Sequence, residues 1–328
     1  MTVALSVGVE VVGDGAGEAG STVANPVRGI ASLARRLEDA GVAYWVIGAE
    51  RGERSDATHA TLDPSLLATV AARHTATLGL VVAAAAHRDH PYNLARRLVS
   101  VDHAAHGRVG WLALDFDHGT ALNAATDTWL GAELGPEHTA DAVAAVRALW
   151  RTWPLESVVG DRDTGVFADT SQIRRADVLR GYRITGPLNV PGSVQGDLPV
   201  WQQAVPGDGT SVEEADLAVI EDGDQAPRGR PVVVRLRSIQ RIGSVLERLS
   251  GSGEVAGVLV RLAPHALTPF LDGALPVARQ RGLVAAGIPT GQPPTSLRQR
   301  LNLPVPQQPD LAGHALAFDS APNPGGRL

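Results

Sequence analysis

The chain alternates short apolar segments with longer amphipathic ones. Eight of the short segments are apolar or β-branched almost throughout, instead of alternating between apolar and polar residues. Continuous runs of this kind are typical of strands buried on both faces, as in a parallel sheet. The predicted strands are Leu5–Val12, Ala43–Ala49, Leu78–Ala84, Val109–Leu114, Leu198–Ala204, Leu217–Glu221, Pro231–Leu236 and Val255–Leu262.

Amphipathic helices are predicted between several of these strands. Val27–Ala40 carries apolar residues at helical spacing, and the opposite face is charged. Pro26 suits the first turn of this helix, and Gly41 suits its C-terminal cap. The other predicted helices are Pro64–His74, with Asp63 as its N-cap, Pro91–Ala104, Thr139–Trp153 and Ile239–Leu249.

The regular alternation of strands and helices predicts an α/β fold, a TIM-type (β/α)8 barrel. We expect a single barrel domain over residues 1–287, with an insertion at 154–197 before the fifth strand. The link at 222–230, between strands six and seven, is too short for a full helix and indicates a trimmed barrel. Residues 288–328 are rich in proline and are predicted to form a C-terminal tail.

The composition excludes several kinds of chemistry. The chain contains no cysteine, and all 29 of its basic residues are arginine. A disulfide framework, a thiolate nucleophile and a cysteine-ligated metal are therefore excluded. A Schiff-base lysine and a P-loop lysine are excluded for the same reason.

Charge and hydropathy narrow the expected partners and location. The net charge is −6, and no basic stripe could neutralise the phosphates of a nucleic acid. No apolar run approaches the roughly 20 residues that span a bilayer. No positively charged region precedes the first apolar stretch, so a signal peptide is not expected. These features favour a cytoplasmic protein that binds neither nucleic acid nor membrane.

Two short motifs are weak signals. Gly15-Ala16-Gly17-Glu18-Ala19-Gly20 matches a dinucleotide-binding pattern, but its acidic residue opposes a pyrophosphate and no helix begins within it. We interpret it as a glycine-rich loop. His87-Arg88-Asp89-His90 follows the third strand, where its side chains would belong to the polar mouth of a barrel more readily than to a metal site.

Several segments recur in an order that is typical of one protein family. They are Pro91–Arg97, Ser100–His103, Gly107–Trp111, Leu149–Trp153, Gly165–Asp169, Gly186–Pro191, Pro199–Ala204, Arg281–Leu283 and Ser296–Leu301. Together these segments resemble the nitrilotriacetate-monooxygenase group of the bacterial-luciferase-like flavin monooxygenases. The resemblance extends, with gaps, from about residue 27 to 306, and the 149–204 block is its most specific part.

The resemblance implies a barrel enzyme that uses reduced FMN supplied by a separate flavin reductase. Such an enzyme activates molecular oxygen and oxygenates a small organic substrate, while the protein holds the flavin and excludes water. The resemblance also implies a dimer, either a homodimer or a heterodimer with a related barrel chain. An enzyme of the same class that uses a deazaflavin instead of FMN is a weaker option.

Site residues follow by position from the resemblance. The backbone N–H groups and hydroxyls of the loop after the fifth strand would bind the flavin phosphate. The substrate side would be lined by His87, Asn93 and Asp115, the candidate catalytic residues. The predicted cofactor-binding residues are Glu50, Trp111, Gly207, Gly209, Thr210 and Ser211.

Departures from the family pattern leave a second interpretation open. Asp115 and Asp208 would repel a phosphate, and Leu112 and Phe116 offer no hydrogen bond to the polar flavin edge. The alternative is therefore a non-catalytic relative with impaired flavin binding, which acts as a structural partner subunit.

Overall fold

The eight predicted strands form a closed parallel barrel. The computed structural model describes residues 4–12, 26–49, 62–86, 89–117, 135–178, 182–205, 212–288, 295–307 and 313–318. The strands pair in sequence order, and β8 pairs with β1 to close the barrel. They are β1 (Ser6–Val11), β2 (Tyr44–Ile47), β3 (Gly79–Ala85), β4 (Val109–Leu114), β5 (Val200–Gln203), β6 (Leu217–Glu221), β7 (Val232–Leu236) and β8 (Val255–Leu262).

Helices surround the barrel between most of these strands. The bounds of α2 and α3 agree with the prediction, and the Asp63 side chain caps α2 by accepting the Ser65 N–H at 2.8 Å. None of the described helices is long and apolar enough to cross a membrane. The helices are α1 (Pro26–Asp39), α2 (Pro64–His74), α3 (Pro91–Ala104), α4 (Pro136–Trp150), α5 (Ile242–Leu249), α6 (Pro264–Pro269), α7 (Leu275–Gln280) and α8 (Leu297–Arg300).

Two glycines make room for large aromatic side chains inside the barrel. A Cβ on Gly8 would lie 2.1 Å from the Tyr44 ring, and one on Gly110 would lie 2.2 Å from the Trp201 ring. The two rings pack with their centroids 5.8 Å apart. The half of the barrel interior nearer the N-terminal ends of the strands is therefore filled with side chains. Any site must lie toward the C-terminal ends of the strands.

The connections between strands differ from a regular barrel as predicted. The stretch between α4 and β5 holds two short 3₁₀ turns, Leu155–Ser157 and Thr170–Gln172, and a small hairpin in which Val159 N–H donates to the Phe167 carbonyl at 2.9 Å. The link between β6 and β7, which the structure describes throughout, contains turns and no helix.

The N-terminal end of the barrel is closed by the segment that contains α8. Leu297, Leu301 and Leu303 join the core cluster inside the barrel. The buried Arg298 guanidinium donates to the Asp216 carboxylate at 2.9 Å. This part of residues 288–328 thus packs against the barrel, while the predicted division of the chain into a domain and a tail stays a prediction.

Candidate functional site

The carboxyl ends of the strands meet at one mouth of the barrel, where active sites of this architecture lie. Alternate residues of each strand point inward, so the residue two positions after an interior core residue also points inward. On five adjacent strands, from β5 through β8 to β1, the last inward residue is polar or charged. These residues are Gln203, Glu221, Arg235, Arg261 and Glu10.

Glu10 lies at the centre of an ion-pair network that fills this side of the mouth. Its carboxylate is completely buried. Its Oε2 lies 3.3 Å from Arg235 Nε, and its Oε1 lies 3.1 Å from Arg261 Nη1. The contacts with two guanidinium groups offset the cost of burying this carboxylate.

Glu221 extends this network toward solvent. Its Oε1 lies 3.4 Å from Arg235 Nη1 and accepts a hydrogen bond from Arg237 Nη2 at 2.9 Å. Burial alone would raise the pKa of Glu221, but the hydrogen bond from Arg237 and the charges of both arginines outweigh burial and hold the pKa below its ordinary value.

Gln203 is the exposed member of this polar side. Its amide oxygen accepts a hydrogen bond from Arg235 Nη1 at 3.2 Å. Arg235 is only 5% exposed, so Gln203 lies between a buried network and open solvent. Arg235 therefore contacts the Gln203 side chain from the barrel interior, and the rest of that side chain is accessible to solvent.

The inward side chains of β2, β3 and β4, on the opposite side of the mouth, are apolar. They include Val46, Ala83 and Leu112. A cavity of about 220 Å³ opens at the ends of β3 and β4. The residues that line it are Asp63, Pro64, Ala83, Ala84, Ala85, Asp89, Arg97, Leu114 and Asp117.

Polar groups border this cavity on its outer side. Arg97 pairs with Asp89, with Nη1 donating to Oδ1 at 3.2 Å. Burial would lower the pKa of Arg97, but the hydrogen bond and charge of Asp89 raise it. Asp117 is buried against the same cavity. The cavity thus contains alanine side chains and four charged groups, and most of its exposed surface is polar.

Most of the predicted cofactor residues lie outside the described residues: Glu50, Gly207, Gly209, Thr210 and Ser211, together with the catalytic candidate His87. Trp111 is described and is completely buried. It belongs to the core between the barrel and its helices, where its indole N–H donates to the Ala84 carbonyl at 3.0 Å. It therefore supports the cavity wall from behind.

The two remaining catalytic candidates lie on different elements. Asn93 is exposed in the first turn of α3, where its backbone N–H donates to the His90 carbonyl at 2.8 Å. Asp115 follows β4 and is half-buried. Burial raises its pKa, and the nearby polar side chains of Thr139 and Gln202 oppose that shift only in part. No contact joins Asn93 to Asp115 among the described residues.

The His87–His90 motif shows no metal site in the part that the structure describes. His90 accepts the Tyr92 N–H on Nδ1 at 3.2 Å and so caps α3. Asp89 is the partner of Arg97. Across the described ranges, no group of three potential metal-ligating side chains occurs.

Sequence reasoning missed the polar half of the mouth. A signal was present, because Glu10, Arg235 and Arg261 each interrupt a strand that is otherwise apolar. A charge inside a buried strand needs a partner, and in a barrel the partner comes from a neighbouring strand. Which strands share partners depends on the register, which the sequence does not contain.

A family model described as luciferase-like monooxygenase matches residues 6–214. The N-acetyl-S-(2-succino)cysteine monooxygenase of Bacillus subtilis is 29% identical over 160 residues, which are 48% of this chain and 36% of that protein. One of the subunits of the pristinamycin IIA synthase of Streptomyces pristinaespiralis is 28% identical over 232 residues, 70% of this chain and 73% of that protein. A component of the nitrilotriacetate monooxygenase of Aminobacter aminovorans also matches.

Solved structures show the same fold. The structure of DmoA from Hyphomicrobium sulfonivorans superposes with a TM-score of 0.72 at 17% identity, and 97% of each chain is covered. The chain spans only about a third of the length of several curated relatives, 36% and 32% in two cases.

Proposed function

Because the chain belongs to the luciferase-like monooxygenase family, we propose that it is the oxygenase of a two-component flavin system. In this proposal it receives reduced FMN from a separate reductase and oxygenates a small organic substrate. One atom of molecular oxygen enters the substrate and the other leaves as water. When bound, reduced FMN would supply the two electrons that this reaction needs.

The division of the barrel mouth into two halves carries this proposal. A flavin ring system is flat, with an apolar benzenoid end and a polar pyrimidine end. Ala83 and Ala85 line the cavity at the ends of β3 and β4, whose exposed surface is mostly polar, and the opposite side of the mouth presents the Gln203 amide. The described residues thus offer polar contacts to the pyrimidine end of the ring and little apolar surface to its benzenoid end. When bound, the flavin supplies the oxygen-activating chemistry.

The chain's own residues would hold the cofactor and keep water out. We assign the phosphate to the loop after β5, through the N–H groups of Gly207 and Gly209 and the hydroxyls of Thr210 and Ser211. Glu50 stays a proposed cofactor neighbour, and Trp111 acts through the wall that it supports. His87, Asn93 and Asp115 are proposed to face the substrate.

The pKa of Asp115 is shifted from its ordinary value. Because burial raises its pKa, Asp115 keeps its proton to a higher pH than an ordinary aspartate. It can therefore hold a proton next to a substrate or accept one from it. We also propose that the active form is a dimer, made of two copies or of this chain and a related barrel.

The second candidate function is a structural partner subunit that does not bind flavin. The carboxylates of Asp63, Asp89 and Asp117 at the cavity favour it, because they oppose an anionic cofactor. The match over 70% of this chain, to a protein named as one subunit of a synthase, is consistent with such a role.

An anaerobic titration separates the two functions. The purified chain is titrated with photoreduced FMN, and the flavin absorbance is followed; a reduced deazaflavin is titrated in parallel. The oxygenase proposal expects saturable binding of reduced FMN in the micromolar range. No binding of FMN up to several hundred micromolar would contradict it. Co-expression with a related barrel chain that then binds flavin would support the subunit role.

A further inference from the structure

The cavity at the ends of β3 and β4 carries charges of mostly one sign. The carboxylates of Asp63, Asp89 and Asp117 line it, and Arg97 is the one basic side chain among the described residues of its lining. Asp117 is only 4% exposed. Because a cleft lined by one sign of charge concentrates the potential inside it, this lining favours a positively charged ligand.

Two of these carboxylates are held in fixed positions. Asp63 Oδ1 accepts the Ser65 N–H at 2.8 Å and the Ser65 hydroxyl at 2.5 Å, and so caps α2. Asp89 Oδ1 accepts a hydrogen bond from Arg97 Nη1 at 3.2 Å. A ligand therefore meets carboxylates that are already oriented, so little entropy is lost in ordering them on binding.

Arg97 shows how this environment acts on a positive charge. Its side chain is 31% exposed. Burial would lower its pKa, but the hydrogen bond and charge of Asp89, together with the charge of Asp63, raise that pKa above its ordinary value. The carboxylates around the cavity therefore stabilise the charged form of a guanidinium.

The spacing of the lining and the size of the cavity favour an organic cation over a metal ion. In the part of the chain that the structure describes, no group of three histidine, aspartate or glutamate side chains is placed to hold one metal ion. The cavity measures about 220 Å³, below the roughly 300 Å³ at which sites for drug-sized molecules begin. It therefore suits a small cation with several hydrogen-bond donors, or the charged end of a larger molecule.

We propose that this cavity binds an organic cation, an ammonium or a guanidinium group, beside the carboxylates of Asp63, Asp89 and Asp117. The inference concerns the cavity itself and does not depend on flavin binding. The identity of the substrate does rest on the proposed function: there the cation is the charged end of the substrate, and the oxygenase selects amines or guanidines. Anionic substrates are disfavoured, because the carboxylates repel them.

The test is a titration of the purified chain with methylguanidinium and with methylurea. The two molecules have nearly the same size and shape, but only methylguanidinium is charged at neutral pH. Amide NMR spectra of the isotope-labelled chain give each Kd and identify the amides that shift. We expect shifts at Ala84 and Ala85, and a Kd for methylguanidinium at least about tenfold lower than that for methylurea. Magnesium chloride, titrated in parallel, should cause no saturable shift at these amides.

The substitution Asp63→Asn tests the electrostatic origin of this preference. Asparagine caps a helix about as well as aspartate does, so the variant keeps the cap of α2 and loses only the charge. We expect its Kd for methylguanidinium to rise by about threefold or more, with little change for methylurea. The matched control is Asp169→Asn, because Asp169 accepts the Ser171 N–H and hydroxyl in the same way but does not line the cavity. The control should leave both constants unchanged.

The outcomes are distinguishable. Equal affinity for methylguanidinium and methylurea, or saturable binding of Mg²⁺ alone, overturns the inference, and this comparison needs no variant to fold. An unchanged Kd for methylguanidinium in folded Asp63→Asn also overturns it. If the unmodified chain binds methylguanidinium but no FMN, the cation site is supported and the proposed function fails. If it binds reduced FMN but no methylguanidinium, the proposed function is supported and this inference fails.

Discussion

The two halves of the barrel mouth are built on opposite principles. On β2–β4 the inward residues are apolar, and a cavity of about 220 Å³ opens beside Ala83 and Leu114. On β5–β8 and β1 the last inward residues are charged or polar, and Glu10, Arg235 and Arg261 form an ion-pair network there. The cavity therefore lies on one side of the mouth, and the charged contacts that orient a side chain, Gln203, lie on the other.

Different strands of one barrel can thus contribute space for a ligand and contacts that orient it. Alanine side chains can contact a flat apolar body but cannot orient it, because dispersion contacts have little directionality. A network of paired charges can orient an amide at its edge. Together the halves suit a ligand with one apolar and one polar end. The predictions below alter one half while leaving the other intact.

The largest effect is expected when the centre of the polar half is neutralised. Glu10→Gln leaves the buried Arg235 and Arg261 guanidiniums beside a neutral amide. Removing one partner of a buried charge network costs about 3–5 kcal/mol. Urea unfolding followed by circular dichroism should show a loss of this size in the free energy of unfolding. The exposed Glu254→Gln is the control, and a loss below about 1 kcal/mol for Glu10→Gln would contradict the network's importance.

A larger side chain in the cavity should block ligand binding there without disturbing the Glu10 network on the other side of the mouth. Leu114 lines the cavity, and Leu114→Trp would occupy much of it. We expect the Kd for FMN to rise by about tenfold or more, a change of about 1.4 kcal/mol in binding free energy. The same substitution at the exposed Leu66 of α2 should have no effect on binding. Unchanged binding by Leu114→Trp would mean that the cavity does not hold the ring.

Glu221 should make the polar half sensitive to acid. Its pKa in the folded chain lies below the ordinary 4.5, so its carboxylate stabilises the fold above that pH. This contribution is lost as the pH falls through the folded value. Glu221→Gln should therefore lower the free energy of unfolding by about 1 kcal/mol at about pH 7 and by less under acid conditions. A loss of the same size at neutral pH and in acid would contradict the electrostatic explanation.

Asp115 should behave in the opposite sense and with the smallest effect. Its folded pKa lies above the ordinary 3.8, so its ionised form costs stability once the pH exceeds the ordinary value. Asp115→Asn should raise the free energy of unfolding at about pH 7, by up to about 1 kcal/mol, and the gain should vanish in acid. Thermal unfolding at several pH values measures this. A destabilised variant at neutral pH would show that the carboxylate is held by contacts stronger than its burial.

The fold could be predicted from the sequence because its signals are local. Each buried strand is a short apolar run, and all eight are confirmed. The predicted helix Thr139–Trp153 lies three residues further along the chain than the observed α4. Pro136 begins that helix, since proline is favoured in the first turn. At its other end the Thr152 hydroxyl bonds to the Leu149 carbonyl, so the chain turns before Trp153.

The site could be predicted only in part, because its signals are not local. The predicted loop after the third strand does border the cavity through Asp89, and the resemblance correctly identified the family. The contact between Arg235 and Gln203 joins residues 32 positions apart. It exists because β5, β6 and β7 adopt one particular register. No spacing rule along the chain reveals which arginine faces which amide.

The central claim is that one flavin occupies both halves of the mouth. Hydrogen–deuterium exchange under anaerobic conditions, with and without saturating reduced FMN, tests it most directly. We expect slower exchange at the end of β3, near Ala85, and at the ends of β5 and β7, near Gln203 and Arg235. Hydrogen–deuterium exchange around α8, at the N-terminal end of the barrel, should be unchanged. Protection confined to one half, or absent from both, would contradict the account.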